Sequence, residues 1–502
     1  MDYFNAADWL VIIVYLAGII ALGMWCGKDQ RNTRDYFLGS KNIPWWGVGL
    51  SIVATETSAL TFIGVPAMAY GGDHLAFIQI VIGYVIARVI LAIVMVPHYF
   101  KGEIYSPYQL FADKFGPGAR RTAGGFFLIA GTLAAGVRVY VTCIPLQLML
   151  GFRDDQIIWV ILLFVVLSLA YTYVGGVKAV IWTDAVQFLL FMAGGIFTLC
   201  YIPTLVEGGF SGALAKAGEA GKLQWFNGDF ALAKPFNIWM GIIGATFLVM
   251  SSHGADQLIV QRVLTCGSVA DGRKALALSA VIIFPLFLVF LLTGIMLWVY
   301  YQQFPNMPIQ VPEVRPGISK NDYVFPIFIL TVIPNVLKGF LIVAILSAAM
   351  SSVSSALAAL ASVSTMDFFK GLTRKERSEE FYLQFSKYST VAWAVLMVAV
   401  AYLTQKVESV LNAAFSLSGL TNGGMLGGLL LTLFWRKGRS APVVIGMLAS
   451  LAAMIWISTQ WKAEIAWPWY TLIGCTTTVA VAFAVRALTE REPSQAQVPK
   501  GE

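Results

Sequence analysis

Residues 51–60 read SIVATETSAL, and Glu56 stands at the middle of an apolar stretch, between PWWGVGL (44–50) and TFIGVPAMAY (61–70). A carboxylate at the centre of a helix in hydrocarbon costs roughly 3 kcal/mol or more, so such residues mark solute paths, ion paths or buried pairs. Thr55, Thr57 and Ser58 supply oxygens around it, and Gly47, Gly49, Gly64 and Pro66 loosen the helix on both sides. The stretch therefore reads as a span that can break near mid-membrane and turn backbone carbonyls toward an ion. The alternative is a kinked helix whose Glu pairs with a neighbouring Arg.

The bulk composition sets the class. Mean hydropathy is +0.74, 58% of the 502 residues are hydrophobic and only 12% are charged, far from the soluble average. Apolar runs of about 20 residues recur along the chain, the length that crosses roughly 30 Å of hydrocarbon. About thirteen spans are expected, near 6–26, 44–71, 74–98, 120–150, 156–174, 179–204, 236–262, 273–301, 337–364, 381–405, 408–434, 440–460 and 466–488. Segment 323–336 reads as a short helix outside the bilayer core. The first apolar run continues to Met24 with no small-residue cleavage site, so no removable signal is expected. The chain is expected to be an all-α polytopic membrane protein, with membrane lipid as its solvent.

An odd number of spans puts the termini on opposite faces, and Lys and Arg choose the orientation. With the N-terminus outside and the C-terminus cytoplasmic, 23 of the 34 Lys and Arg fall in cytoplasmic segments and nine outside, while Arg88 and Arg138 lie within spans. The net charge of +7 then belongs to a face lying on the anionic lipid of a plasma or inner membrane. No nucleic acid and no obligate protein partner is expected. Cys26, Cys143, Cys200, Cys266 and Cys475 are scattered without CxxC spacing and read as free thiols. No HExxH, GxSxG or histidine-rich loop appears, so an enzyme is not expected. The polar tail REPSQAQVPKGE (491–502) reads as disordered.

Intramembrane polar groups are the functional candidates. The span 236–262 is interrupted by VMSSHGADQ (249–257), which puts Ser251, Ser252, His253 and Gly254 at mid-span. His253 is either a packing residue or a solute contact. Two interrupted spans lying five apart point to two halves of five helices, with a binding site between the broken helices. The stretch LSAAMSSVSSALAALASVS (346–364) has the small residues of close helix packing, but Ser351, Ser354 and Ser355 also share one face, with Ser352 beside it. Neutral oxygens at that density suit a hard monovalent cation, because a divalent ion would want more carboxylates. Asp184, in IWTDAVQ (181–187), lies at a matching depth for such a site; a salt bridge to Lys178 is its alternative. Arg138, in AAGVRVYVT (134–142), needs an anion, either a solute carboxylate or Glu56, for which it is the expected counter-charge. Arg88 is read as a snorkelling structural residue.

These residues also carry a resemblance. DYFLGSKNIPWWGVGLSIVATETSALTFIGVPAMAY (35–70), YVGGVKAVIWTDAVQ (173–187), GADQLIVQRVL (254–264) and AILSAAMSSVSSALAALAS (344–362) occur in that order. Over roughly residues 5–440 the chain resembles the sodium/solute symporters, which include sodium–glucose, proline and sialic acid transporters. The resemblance implies a leucine-transporter-like fold. Residues 1–43 would hold an extra first helix and a cytoplasmic loop, 44–204 and 236–437 two inverted five-helix repeats, and 205–235 an extracellular loop. Residues 438–488 would be two C-terminal helices and 489–502 the tail. By similarity, the main sodium site would use carbonyls of Ala54, Thr57 and Ala348 with the hydroxyls of Ser351 and Ser352. A second sodium site would use Asp184, Ser351, Ser354 and Ser355, giving one or two sodium ions per cycle. Substrate positions would be Glu56, Ser58, Thr61, Gln79, Arg138, Ser252 and His253. In sialic acid transporters an arginine matching Arg138 holds the substrate carboxylate. This chain departs from them at Glu56, where they have threonine and the proline transporters have aspartate. The expected function is sodium-coupled import of a small polar solute (sugar, sugar acid, carboxylate or amino acid) by alternating access. Proton coupling through Glu56, Asp184 or His253, or a solute sensor on the same fold, are the alternatives.

Overall fold

The structure is a computed structural model that describes residues 4–28, 30–72, 75–149, 151–153, 156–315, 318–372, 377–404 and 410–489. The expected polar tail, past Thr489, lies outside the described residues. Apolar runs become helices because hydrocarbon leaves each amide no partner except within its own segment. In chain order the main ones are α1 (Ala6–Cys26), α2 (Trp45–Glu56), α3 (Ala59–Tyr70), α4 (Ile78–Val94), α5 (Pro117–Met149), α6 (Ile157–Tyr201), α7 (Thr246–Gly254), α8 (Gln257–Val263), α9 (Val269–Gln303), α10 (Leu337–Ser362), α11 (Glu379–Leu403), α12 (Val410–Phe434), α13 (Ser440–Gln460) and α14 (Tyr470–Thr489). Every expected span coincides with one of these helices, a pair of them, or half of one. The segment expected near 323–336 is a buried helix, Val324–Thr331. Among the described residues the one strand pair is Glu313–Arg315 with Ile318–Ser319, and the rest is all-α as expected.

Helix α6 contains two expected spans, divided at Gly176, whose φ of +55° and ψ of −155° interrupt the helix. A Cβ there would lie 2.5 Å from the Tyr36 carbonyl oxygen, so both the conformation and the space demand glycine. Helix α10 sits at the centre of the bundle against α1, α5, α6 and α11. Its apolar window is 94% buried, against 22% for α1. The alanines and serines noted in the sequence allow that packing, and they turn the hydroxyls inward rather than toward lipid.

The second span is broken. Helices α2 and α3 meet at 58°, and Ser58 caps α3 in a capping box with Thr61. The Ser and Thr oxygens capture backbone donors that would otherwise continue the helix. The seventh span is interrupted as well. A π-helical turn, Met240–Ala245, leads into α7, and α8 starts afresh at Asp256, whose side chain accepts from the Leu258 amide at 2.8 Å. Helix α4 presses on the π turn through two glycines: a Cβ on Gly83 would meet the Gly241 carbonyl oxygen at 2.0 Å, and one on Gly241 the Gln79 oxygen at 2.1 Å. That approach brings Arg88 on α4 up to His253 on α7. In the segment expected as the 205–235 loop, Lys222 donates to the carbonyls of Tyr70 and Gly71 and so pins the end of α3. Burial holds the Lys222 ammonium below its usual pKa.

Candidate functional site

The break releases particular carbonyls. In a continuous helix the Ala54 and Thr57 oxygens would accept from the amides of Ser58 and Thr61. Here the Ser58 amide goes to Thr61 Oγ1 at 3.4 Å, and the Thr61 amide to the Ser58 oxygen at 2.8 Å. The Ala54 and Thr57 carbonyls expected at the main sodium site are therefore ones the break frees. Helix α10 packs on α2 and carries the other expected ligands. There Ser352 Oγ donates to the Ala348 oxygen at 3.2 Å, and Ser351 Oγ donates to Asp184 Oδ1 at 2.7 Å.

Glu56, the last residue of α2, is paired with Arg88 and not with Arg138. Arg88 Nη2 donates to Glu56 Oε2, and to His253 Nε2 at 3.1 Å. Arg88 Nε donates to Ser279 Oγ at 3.1 Å and Nη1 to the Tyr84 carbonyl at 3.0 Å. Because guanidinium only donates, His253 Nε2 accepts, which leaves the ring proton on Nδ1, 2.9 Å from Ser252 Oγ. The snorkelling expected of Arg88 is thus wrong: its side chain is fully sealed. A guanidinium with four acceptors within reach gains nothing by running to the membrane surface. Glu56 keeps 14% of its side chain exposed. Its Oε2 takes Arg88 Nη2 and lies 3.5 Å from His253 Nε2, and among the described residues Oε1 accepts no hydrogen bond.

Asp184 departs from its alternative in a similar way, since its counter-charge is Arg262 rather than Lys178. Asp184 Oδ2 accepts from Ser51 Oγ at 2.6 Å and from Arg262 Nη2 at 3.1 Å, with Thr55 Oγ1 at 3.4 Å. Arg262 Nε donates to Ser51 Oγ at 2.9 Å, and its Nη2 to Ser355 Oγ. Of the expected second-site residues, Asp184, Ser351 and Ser355 come together. The Ser354 hydroxyl turns back to the Ser351 carbonyl at 3.1 Å.

The remaining expected substrate residues are dispersed in role. Ser58 and Thr61 form the cap just past the break. Ser252 Oγ faces the His253 ring. Gln79 is wholly buried and spent on the backbone: its amide donates to the Phe236 oxygen at 3.0 Å and accepts from the Asn227 amide at 3.1 Å. Its polar atoms hold the backbone at Asn227 and Phe236. Arg138, on α5, is half-buried. Asp256 is the carboxylate whose charge reaches it, but among the described residues no group takes a hydrogen bond or ion pair from its guanidinium. Sequence reasoning did not bring Arg262, Ser51 or Thr55 to Asp184, and it misjudged Arg88. Arg262 sits near a span end and looked like one more interfacial base, although it falls inside the matched stretch GADQLIVQRVL. None of these groups lines the apolar cleft formed by Trp9, Leu16, Phe164 and Leu346.

A helical bundle with two interrupted spans, freed mid-helix carbonyls and buried charge pairs across the breaks defines a secondary transporter of the leucine-transporter-like fold. The chain belongs to the sodium:solute symporter family, whose pattern matches residues 36–450. It is 28% identical to the sodium/sialic acid symporter SiaT of Proteus mirabilis, over 94% of this chain and 93% of that protein. It is 27% identical to sodium-coupled monocarboxylate transporter 1 of Homo sapiens, over 90% of this chain and 73% of that protein. A solved substrate-bound, outward-open sodium-coupled sialic acid symporter superposes with a TM-score of 0.86 at 26% identity, covering 97% of this chain and 98% of that one. Mhp1, a nucleobase-cation-symport-1 transporter, shares the fold at a TM-score of 0.55 and 15% identity. The protein is a sodium-coupled symporter of a small organic solute that works by alternating access, and it is not an enzyme.

Proposed function

We propose that the solute is a small carboxylate bearing hydroxyl or amino donors, such as a sugar acid, held between Arg138 and Glu56. The observation that carries this reading is the half-buried Arg138 guanidinium without a partner among the described residues, while Arg88 already cancels the charge of Glu56. A planar donor fork of that kind suits a carboxylate, and Glu56 Oε1 remains open to a solute N–H or O–H. Ser58, Thr61, Ser252 and His253 complete the proposed solute contacts. Sodium would bind the Ala54, Thr57 and Ala348 carbonyls with the Ser351 and Ser352 hydroxyls, tying α10 to the break in the second span. Residues 44–204 and 236–437 would be the inverted repeats, and the N-terminus would lie outside. The inward sodium gradient would then drive import, the potential adding about 2.3 kcal/mol per charge per 100 mV.

Uptake into proteoliposomes, with and without a sodium gradient, over a panel of sugars, sugar acids, amino acids and monocarboxylates tests this. Sodium-driven uptake of acids, lost selectively in Arg138→Ala, is the expected result. Uptake of a neutral sugar that no acid competes for would sink the carboxylate reading.

A further inference from the structure

A short non-helical segment packs against the seventh span where that span breaks. Residues 100–108 run between the Val96–Tyr99 helix, which continues α4, and the Gln109–Phe115 helix, which leads into α5. We propose that Tyr105 and Ser106 in this segment are a latch that shuts one end of the solute path, gripped by Gln257 from α8 and by Asp367 from the end of α10. The latch takes its side from the orientation proposed above, which puts this end in the cytoplasm.

The grip is made of side chains sealed from solvent: Ser106, Gln257, Ser362 and Asp367 are all buried. Gln257 Nε2 donates to the Tyr105 carbonyl at 2.7 Å and to Ser362 Oγ on α10 at 3.2 Å. Ser106 Oγ donates to Asp367 Oδ1 at 2.8 Å. Asp367 sits in the π-helical turn Val363–Phe369 that ends α10. Arg120 holds it there, with Nε donating to Oδ1 at 2.7 Å and Nη2 to the Met366 carbonyl at 2.9 Å. At the break itself the Leu258 amide goes to Asp256 Oδ1, and Tyr99 Oη donates to the Gly254 carbonyl. The segment is thus tied to both sides of a seam. Helix α4 packs on α9 and on the π turn before α7, whereas α5 packs on α10, α11 and α12. For these two groups to part at this end, Gln257 must release Tyr105 and Ser362. A seam closed by hydrogen bonds can reopen, because water replaces each bond and the net loss is small. Asp367 Oδ2 and Gln257 Oε1, which take no hydrogen bond among the described residues, gain water as it opens.

Access to Ser362 from the cytoplasmic face tests the latch. Ser362→Cys is introduced into the full chain with its five native cysteines replaced, in a background that still transports. A membrane-impermeant maleimide is then offered to inside-out and to right-side-out vesicles. With the latch intact, labelling from the cytoplasmic face should be slow. Gln257→Glu keeps the size of the side chain but can only accept, so it cannot hold the Tyr105 carbonyl. It should speed that labelling by about tenfold, the effect of one lost hydrogen bond, and Ser106→Ala should act in the same direction. The half-saturating external sodium concentration for uptake should rise in both variants, because less of the carrier rests open to the outside. A merely structural contact would lower the melting temperature and leave both readings unmoved. Labelling rate and sodium dependence unchanged in the folded variants would overturn the latch, and Ser106→Ala decides if Gln257→Glu does not fold. Faster labelling of the variants from the opposite face would uphold the latch and overturn the orientation instead.

Discussion

Glu56 is held by Arg88 from the neighbouring helix α4, and the pair is sealed on the arginine side but open on the glutamate side. Oε2 neutralises a buried cation, while Oε1 accepts no hydrogen bond among the described residues. Breaking the pair from one end strands the other charge, which costs about 3–5 kcal/mol. Arg88→Met should therefore lower thermal stability in detergent sharply, while Arg88→Met with Glu56→Gln should recover most of the loss. Strictly additive losses in that double-mutant cycle would count against a coupled pair.

Ser352 should matter to sodium before it matters to solute. Removing one hydroxyl ligand loses on the order of 1–2 kcal/mol. Ser352→Ala is thus expected to raise the half-saturating sodium concentration about tenfold in uptake assays, and Ser351→Ala with Ser352→Ala should abolish sodium-driven uptake. Unchanged uptake in the double variant would refute the site.

Arg138 should select for acids. A charge-assisted contact contributes about 1.5–3 kcal/mol, so Arg138→Ala should cut uptake efficiency for carboxylates by roughly 10- to 150-fold. Arg138→Lys should fall between, because an ammonium cannot reproduce the two-pronged geometry. Equal losses for neutral and acidic solutes would point to a folding role.

Replacing sodium by choline at constant pH should stop uptake. Persistence under a proton gradient would mean coupling through protons, with Glu56, Asp184 and His253 as the groups to examine.

The Gly83–Gly241 contact sets how closely α4 meets the seventh span. Gly241→Val would drive a side chain into the Gln79 carbonyl, and overpacking of this kind costs about 1–3 kcal/mol. The expected outcome is a lower melting temperature together with loss of solute uptake, because the approach that aligns Arg88 with His253 is lost. A variant with normal stability and uptake would show that the spacing is not needed.

The membrane class, the positions of the apolar helices and the two interruptions were legible in the chain itself. Twenty-residue apolar runs answer to the thickness of hydrocarbon, and Ser, Thr and Asp beside glycine mark where a helix stops, both local rules. That the break could turn carbonyls outward was legible for the same reason, whereas the particular carbonyls, Ala54 and Thr57, were implied by the resemblance to the sodium/solute symporters. Charge pairing could not. Whether Glu56 meets Arg88 or Arg138, and whether Asp184 meets Lys178 or Arg262, depends on which helices pack side by side, and these partners are separated by 32 and 78 residues. Only the assembled bundle, with α10 at its centre and glycines admitting α4 to the seventh span, decided which buried charges are spent on one another. The same packing leaves the Arg138 guanidinium without a hydrogen-bond or ion-pair partner among the described residues.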